Sequence, residues 1–265
     1  MIIEKLRMDN LRDGVYCAKG MQFGDEWYRN LEVWLDGGLL RGQIARDDTG
    51  EPIGFVLYYP IEHVPMEVGG EGLYMVQCLQ VKPPHDKTGI ARKLIESAIA
   101  DARNCGAAGI VAEGLAEAEQ SDIHEHVTAE FLESLGLIKG QSRRFATLYY
   151  MTFRPDAQEP SYLPTRFAAP ASKATIRVDI LDCSLCYVGI HNRETVLQAV
   201  ERSARERVEV FVHDQNNRGA VVDKGLSSGV FVDGKLTFFR GPINEADVLE
   251  AIDVADSARR QAMDK

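Results

Sequence analysis

The stretch from Val81 to Ala91 has the residue types of a phosphate-binding loop. The apolar strand before it is predicted to stop at Pro83-Pro84, because proline cannot donate to a sheet ladder. A strand, a tight loop and a helix N-terminus together place free backbone N–H groups where they can hold a phosphate. Gly89 allows the backbone to approach a ligand closely, and the small Ala91 keeps the first helical turn uncrowded. The helix is predicted from an apolar stripe at helical spacing, formed by Ile90, Leu94, Ile95, Ala98, Ile99 and Ala102.

This loop resembles the acetyl-CoA signature of the GNAT acyltransferases, Gln/Arg-x-x-Gly-x-Gly/Ala, which follows a strand ending in Val. The glycine and the last small residue match, whereas Asp86 stands in place of the leading Gln or Arg. An acid beside a pyrophosphate is unfavourable unless its side chain turns away or Lys87 offsets its charge. The resemblance implies acetyl-CoA as cosubstrate, with amides near Leu79 and Val81 as the oxyanion site. The cofactor-binding residues it implies are Leu79, Gln80, Val81, Asp86, Lys87, Thr88, Gly89, Ile90, Ala91 and Arg92.

A second landmark of the same family is a helix that ends in Leu-Gly-Phe. The run Phe131 to Leu137 reads Phe-Leu-Glu-Ser-Leu-Gly-Leu and resembles it. Many members place a Tyr four residues before that glycine, as the acid that protonates the departing thiolate. Leu132 holds the position here, so that role is either absent or held elsewhere.

Acyl transfer to an amine needs a base that removes a proton from the ammonium group. The candidates are Glu113 on the strand after the helix and Glu71 before the central strand. Cys78 on the central strand is a candidate for a covalent acyl intermediate, although a buried strand cysteine usually serves packing. Direct transfer in a ternary complex is favoured over that route.

His124 and His126 flank Glu125 with the spacing of a pair of metal ligands. No third ligand lies nearby in the sequence, so we expect no metal. Loop histidines without a role are the commoner case.

The element pattern predicts two domains joined by a linker. Residues 1–153 give strands and helices in the order of the GNAT fold, an α/β (α+β) mixed sheet in which the central strand splays from its neighbour. Residues 154–173 contain four prolines and no periodicity, which is typical of a linker. Residues 174–265 give β-α-β-β-β-α with Cys183-x-x-Cys186 after the first strand, which resembles a small thioredoxin-like α/β domain. The whole arrangement resembles the YoaP-like group of acetyltransferases.

A thiol at a helix N-terminus would have its thiolate favoured by the helix dipole. Two features weaken a redox interpretation of the Cys183/Cys186 pair. Ser228 stands where thioredoxin-like oxidoreductases place a cis-proline, and Gly189 to Asn192 are expected to interrupt the helix, with Asn192 as a candidate N-cap. Three alternatives stay open: an inherited or ligand-binding pair, capture of a soft metal or metalloid, and two inert buried cysteines.

Composition excludes several classes of partner. The formal net charge of −10 argues against nucleic acid and anionic membranes, which need a basic face. No apolar run approaches ~20 residues, and the N-terminus lacks the apolar core of a signal peptide, so a cytoplasmic location is expected. The five cysteines do not suggest a disulfide scaffold. We therefore expect an N-acetyltransferase acting on a small-molecule amine, with a homodimer as an open expectation. The alternative is a thiol, soft-metal or redox protein whose GNAT domain mainly binds CoA.

Overall fold

A computed structural model describes residues 1–85, 87–115, 127–143, 146–170, 175–203, 207–239 and 241–263. The predictions for Asp86, His124 and His126 lie outside these residues. The chain forms two compact units. Unit 1 comprises Met1–Met21, Tyr28–Val64 and Val68–Tyr162. Unit 2 comprises Leu163–Lys265 together with two short stretches from earlier in the chain, Gln22–Trp27 and Pro65–Glu67.

Unit 1 is built on a seven-stranded mixed sheet with the strand order β1-β2-β3-β5-β6-β8-β7. β4 and β9 form a separate two-stranded sheet. The strands are β1 (Ile2–Lys5), β2 (Arg41–Arg46), β3 (Pro52–Pro60), β4 (Val68–Gly69), β5 (Leu73–Val81), β6 (Gly109–Leu115), β7 (Ile138–Arg143), β8 (Ala146–Thr152) and β9 (Ser161–Tyr162). The helices are α1 (Leu11–Gly14), α2 (Gly24–Asp36), α3 (Ile90–Asn104) and α4 (Ala129–Ser134). The first turn of α2, up to Trp27, is counted with unit 2.

Helix α3 packs on one face of this sheet and is fastened there by a buried carboxylate. Its stripe of Ile90, Leu94, Ile95 and Ala98 meets Val56 and Tyr58 of β3 in one apolar core. Asp101, near the end of the helix, accepts hydrogen bonds from Arg41 and Tyr58, both at 2.7 Å. Lys5 adds an ion pair at 2.8 Å. Burial would raise the pKa of Asp101, but the bonds from Arg41, Lys5 and Tyr58 outweigh it and hold that pKa well below its usual value.

The opposite face of the sheet packs against aromatic side chains from the N-terminal segment. Alternation along β3 turns Phe55 and Tyr59 away from α3. Tyr16 meets Phe55 edge to face at 5.2 Å between ring centroids, and Trp34 of α2 meets Tyr59 in the same way at 5.2 Å. Both faces of β3 are therefore covered, which explains its almost continuous burial.

Unit 2 contains a four-stranded sheet with the strand order β11-β10-β12-β13. β10 runs parallel to β11 and antiparallel to β12, and β13 is antiparallel to β12. The elements are β10 (Ile176–Asp182), α5 (Tyr187–Ser203), β11 (Val208–Asp214), α6 (Arg218–Lys224), β12 (Gly229–Val232), β13 (Lys235–Phe238) and α7 (Glu245–Met263). One face of the sheet buries Ile176, Val178 and Ile180 against apolar residues of α5 and α7.

Two expectations for unit 2 were wrong. Gly189 to Asn192 do not interrupt the helix, because α5 begins at Tyr187 and runs through them. A Cβ on Gly189 would lie 1.8 Å from the carbonyl oxygen of Cys183, so the glycine lets the helix approach the preceding turn. Asn192 is not an N-cap either, since its side-chain amide donates to the carbonyl of Gly241 and accepts from the N–H of Ile243.

Helix α7 has a side-chain cap at its N-terminus. Asn244 accepts a hydrogen bond from the N–H of Asp247 at 2.9 Å. Helix α6 was not predicted. It is capped by Asn217, which accepts from the N–H of Ala220 at 2.8 Å, and it ends at Gly225 in the left-handed conformation.

Candidate active site

The two central parallel strands of unit 1 separate part-way along their length. β5 pairs with β6 only from Leu73 to Val76, opposite Gly109 to Ala112. Both strands continue, β5 to Val81 and β6 to Leu115, without pairing further. The result is a forked opening between them that begins at Val76 and Ala112, with backbone groups of both strands along its sides.

A β-bulge marks the start of this fork. Along β3 and β5 the register shifts between Leu57, which faces Cys78, and Tyr58, which faces Val76. Gln77 is the extra residue. Before the bulge, Val76 packs in the core under α3, and after it Leu79 and Val81 do. The bulge therefore shifts the side-chain alternation of β5 by one residue, at the point where β5 and β6 stop pairing.

The bond between Lys82 and Ile53 shows which way the amides of β5 face. The N–H of Lys82 donates to the carbonyl of Ile53 at 2.8 Å, on the β3 side. Because successive residues of a strand direct their N–H groups to opposite sides, the N–H groups of Leu79 and Val81 face away from β3, into the fork. These two residues are the predicted oxyanion site.

The start of α3 supplies a second set of backbone donors. Gly89 precedes the helix with a φ of 84° and makes no side-chain cap bond. The N–H of Lys93 donates to the carbonyl of Gly89 at 3.2 Å, so the N–H groups of Ile90, Ala91 and Arg92 have no acceptor within the helix. Uncapped amides and the positive end of the helix dipole have the chemistry that suits an anion.

Space and charge around this helix start suit a phosphate. A Cβ on Gly89 would meet nothing within 4 Å, so the loop is open to a ligand. Lys87 and Thr88 are exposed next to it, and the Thr88 hydroxyl donates to the carbonyl of His85. Arg92 is engaged elsewhere, because its guanidinium donates to the carbonyl and hydroxyl of Ser134 at 3.2 and 2.7 Å. Its backbone rather than its side chain is therefore offered to a ligand.

The three predicted catalytic residues, Cys78, Glu113 and Glu71, differ in their position relative to the fork. Cys78 is half-buried on β5, opposite Leu57. Glu113 follows Ala112 and so is the first residue of β6 beyond the paired segment, and its carboxylate lies 3.6 Å from the guanidinium of Arg143. Glu71 is exposed, just before β5. The fork thus includes Cys78 and Glu113, whereas Glu71 lies outside its strands.

Leu132, at the family's tyrosine position, is fully buried in the core between α3, α4 and the sheet. It cannot donate a proton. Tyr149 belongs to the same core and faces Ala112 in register, at the fork. Burial raises the pKa of its phenol, so the proton stays on at neutral pH. Sequence reasoning missed Tyr149 and Arg143, because only the pairing of β6, β7 and β8 places them beside Ala112 and Glu113.

The Cys183/Cys186 pair lies in unit 2, before α5. Cys183 is buried and its Sγ lies 3.7 Å from the carbonyl oxygen of Pro65, a geometry in which the thiol donates. Burial raises the pKa of the Cys183 thiol to about 12, opposite in direction to the reactive thiolate that the helix dipole would favour. All five cysteines are thiols rather than disulfides.

The turn that carries this pair is rigidly held within unit 2. Asn216 accepts hydrogen bonds from the backbone N–H and the hydroxyl of Ser184, both at 2.6 Å. The indole of Trp27 donates to the carbonyl of Leu185 at 3.3 Å. These bonds fix the backbone that follows Cys183, whose own side chain is buried.

In the part of the chain that the structure describes, no group of three or more His, Cys, Asp and Glu side chains is arranged to hold a metal ion. Among the same residues, no helix has the length and apolar character needed to cross a bilayer.

Comparison with known proteins found a family similar to the N-terminal part of the chain. Residues 8–124, less than half of the chain, match the family model described as the acetyltransferase (GNAT) family. The predicted mixed α/β fold class is confirmed. No curated protein matches the chain.

Several solved structures are similar to the chain. One is a GNAT family acetyltransferase from Brucella melitensis in complex with acetyl-CoA, at 18% identity over 61% of this chain and 94% of that one, with a TM-score of 0.40. Another is YhbS from Escherichia coli in complex with CoA, at 16% identity over 58% and 82%, with a TM-score of 0.42. A third is an aminoglycoside 6'-N-acetyltransferase complexed with coenzyme A, at 18% identity over 58% and 98%, with a TM-score of 0.43.

Proposed function

We propose, from the match of residues 8–124 to the GNAT family model, that the protein transfers an acetyl group from acetyl-CoA to the amine of a small molecule. The observation that carries the proposal is the fork between β5 and β6, which opens at Val76 and Ala112 beside a bulge at Gln77. An extended pantetheine arm needs a slot lined by backbone hydrogen-bonding groups, and the unpaired side of β5 offers one.

In this proposal the two sets of backbone donors bind the two polar parts of acetyl-CoA. The pyrophosphate lies on the amides of Ile90, Ala91 and Arg92, with Lys87 adding positive charge. The N–H of Leu79 or Val81 polarises the thioester carbonyl and stabilises the oxyanion that forms when the amine attacks. One such donor is typically worth about 10²–10³ in rate.

Glu113 is proposed as the base that removes the proton from the attacking ammonium group, directly or through one water. Its position immediately beyond Ala112, at the fork, supports this role. The Glu113 carboxylate lies 3.6 Å from the guanidinium of Arg143, and a water molecule between the carboxylate and the ammonium group would relay the proton.

Tyr149 is proposed as the acid that protonates the CoA thiolate as it departs, since Leu132 cannot. It stands in register with Ala112 and keeps its proton because burial raises its pKa. Base and acid then come from opposite faces of the sheet, since Glu113 and Ala112 point to opposite sides of β6. The amine would enter from one side and the thiolate would be protonated from the other.

Direct transfer is preferred to a covalent route through Cys78. The residue is half-buried opposite Leu57, and acylation would need a neighbouring base to generate its thiolate. In direct attack Glu113 first takes one proton from the ammonium group, and the neutral amine then forms the C–N bond and the oxyanion. As the oxyanion collapses to the amide, the C–S bond breaks and Tyr149 gives its proton to sulfur. The second proton on nitrogen leaves to water, and water returns a proton to Tyr149.

Unit 2 is proposed to be a thioredoxin-like domain of the YoaP-like type. Support comes from its β-α-β-α-β-β-α order and from the strand order β11-β10-β12-β13, with the parallel pair β10/β11 followed by two antiparallel strands. No observation favours a redox or soft-metal function for it, because Cys183 is enclosed and its thiol pKa is raised.

The experiment that tests the proposed function follows free CoA thiol released from acetyl-CoA against a panel of small amines. Turnover that depends on the amine, and that is lost in Gly89→Glu, supports the proposal, because the added carboxylate would repel the pyrophosphate. If no amine in the panel gives turnover, or if Gly89→Glu leaves CoA affinity unchanged, the proposal is overturned.

A further inference from the structure

Strand β11 is an edge strand with an exposed apolar outer side. It pairs with β10 alone among the strands that the structure describes. Phe211 is 37% exposed and Val212 is 47% exposed. Exposed edge strands with apolar side chains tend to pair with another strand, and natural proteins usually protect them with charge, proline or a bulge. Glu209 and Asp214 are charged residues on this strand, but its centre, Val210 to Val212, is apolar.

The hydrogen bonds to β10 show which backbone groups point outward. The N–H of Ile176 donates to the carbonyl of Arg207 at 2.7 Å, and the N–H of Gln215 donates to the carbonyl of Asp182 at 2.8 Å. In a parallel pair, alternate residues bond to the same neighbour. Odd-numbered residues of β11 therefore face β10. The amide and carbonyl groups that face the free edge belong to Val208, Val210, Val212 and Asp214.

The sequence of β11 is self-complementary about Phe211. In an antiparallel pair with a second copy centred on this residue, Phe211 faces Phe211, Val210 faces Val212 and Glu209 faces His213. The outward-facing residues Val210 and Val212 then exchange both backbone hydrogen bonds, as that pairing requires. A centre at Glu209 would instead place two carboxylates opposite each other, and a centre at Val210 or Val212 leaves Glu209 without a basic partner. Charge and backbone direction thus select one register.

From this we infer that a second copy of the chain docks on β11, giving a two-fold symmetric dimer with an eight-stranded sheet built from the two four-stranded ones. An isologous contact of this kind closes on itself and uses the same surface twice. The partner's Val210 would cover the exposed Val212. The inference stands on unit 2 alone and does not depend on acetyl transfer.

Phe211 is held in place as an anchor for such a contact. The guanidinium of Arg177 lies 3.7 Å from the centre of its ring. Arg177 is itself fixed by Asp179, to which it donates two hydrogen bonds of 2.8 and 2.7 Å. His213 also bonds Asp179, at 2.7 Å, so its ring position is set. Aromatic side chains fixed before binding lose little conformational freedom on docking.

A cysteine cross-link tests the register. Facing Phe211 residues form a pair without backbone hydrogen bonds, with Cα atoms about 4.5 Å apart, which suits a disulfide. In a Cys105→Ser background, which removes the exposed native thiol, Phe211→Cys should form a disulfide-linked dimer under mild oxidation. Val222→Cys, at an exposed apolar site on α6, is the matched control and should stay uncross-linked. If both variants cross-link equally, or if neither cross-links, the pairing of two β11 strands centred on Phe211 is overturned.

The backbone contribution is tested by Val212→Pro with sedimentation velocity on the full chain. The Val212 N–H faces the free edge, so its loss should abolish the dimer while leaving the β10–β11 ladder intact, as circular dichroism would show. Glu209→Lys should weaken the dimer about tenfold, and Glu201→Lys on α5 should not. A wild-type chain that sediments as a monomer at roughly 100 µM, or a dimer that survives Val212→Pro in a folded chain, overturns the inference.

Discussion

The phenol of Tyr58 donates a hydrogen bond of 2.7 Å to Asp101, joining the C-terminal part of β3 to the last turns of α3. Arg41 and Lys5 complete the contacts to the same carboxylate. The helix whose first turn offers amides to an anion is thus fixed to three strands near its opposite end. A rigid attachment there keeps the donors of Ile90 to Arg92 in one position before any ligand arrives.

Asp101→Asn should therefore lower the free energy of unfolding by about 2 kcal/mol at neutral pH, because Arg41 and Tyr58 lose their charged acceptor. The pKa of Asp101 is lowered in the folded state, so its contribution is present above the unfolded-state value of about 3.9 and is lost as the pH falls further toward the folded-state value. Urea unfolding at several pH values measures both effects. Asp156→Asn, at an exposed aspartate, is the control. Equal effects of the two variants would argue against a structural role for Asp101.

Gly89→Ala should weaken CoA binding about tenfold. The φ of 84° costs a residue with a Cβ roughly 1–2 kcal/mol, and relief of that strain would turn the helix amides away from the ligand. Gly50→Ala carries the same strain at a φ of 88°, in the hairpin between β2 and β3, and nothing lies within 4 Å of either added Cβ. It should lose similar stability with CoA affinity unchanged. Calorimetric titration with CoA compares the two variants.

Glu113→Gln should lower kcat/KM by a factor of about 10² and flatten its dependence on pH, because the glutamine cannot accept the ammonium proton. Glu71→Gln makes the same change of charge at an exposed site outside the fork and should remain within about twofold of wild type. Initial rates across a pH series decide between them. A loss confined to Glu71→Gln would move the base to that residue, and loss in neither variant would exclude both.

Tyr149→Phe should lower kcat roughly tenfold or more, with little change in CoA affinity, because the departing thiolate loses its proton donor. Tyr150→Phe is the matched control, since its ring is equally buried but points to the other face of β8. An acetyl thioester with a more acidic thiol should restore much of the rate in Tyr149→Phe. If the more acidic thiol does not restore the rate, the Tyr149 hydroxyl is not the proton donor and its loss acts through a change in packing.

Cys183 should react with iodoacetamide far more slowly than the exposed Cys105 at pH 8, because its thiol is buried and its pKa is raised to about 12. Peptide mass spectrometry after a short labelling pulse gives the two rates. Labelling of Cys183 as fast as Cys105 in the folded chain would restore the thiol-based alternative. A slow rate that rises to that of Cys105 in urea would show that burial is the cause.

The sequence predicted unit 1 well because its signals are local. The strand before the loop was expected to stop at Pro83-Pro84, and β5 ends at Val81. Helix α3 follows Gly89, as its apolar stripe and the glycine indicate. The prediction of a phosphate-binding loop at this point rests only on these neighbours in sequence. Amide direction did not follow from sequence, because it depends on the bulge at Gln77 and on the pairing with β3.

Contacts between distant residues account for what was missed. Arg143 follows Glu113 by 30 residues, and only the order β6-β8-β7 brings the two side chains together. Gly189 looked like a helix breaker because its reason for being glycine is the carbonyl of Cys183, a tertiary contact. Helix α6 has no apolar stripe, and its limits come from Asn217 and Gly225. Periodicity cannot indicate such elements.

Unit 2 also contains residues from early in the chain, and this bears on how the protein can be divided. Glu67 is fully buried and its carboxylate accepts from the hydroxyl of Ser227, while Glu26 pairs with Arg193 at 2.9 Å. A gene fragment ending at residue 153 would encode Glu67 and Trp27 without the groups that bury them and bond to them. Recombination that exchanged the C-terminal part for another would leave the same two side chains without these partners. The two parts are therefore expected to be inherited, expressed and engineered as one piece.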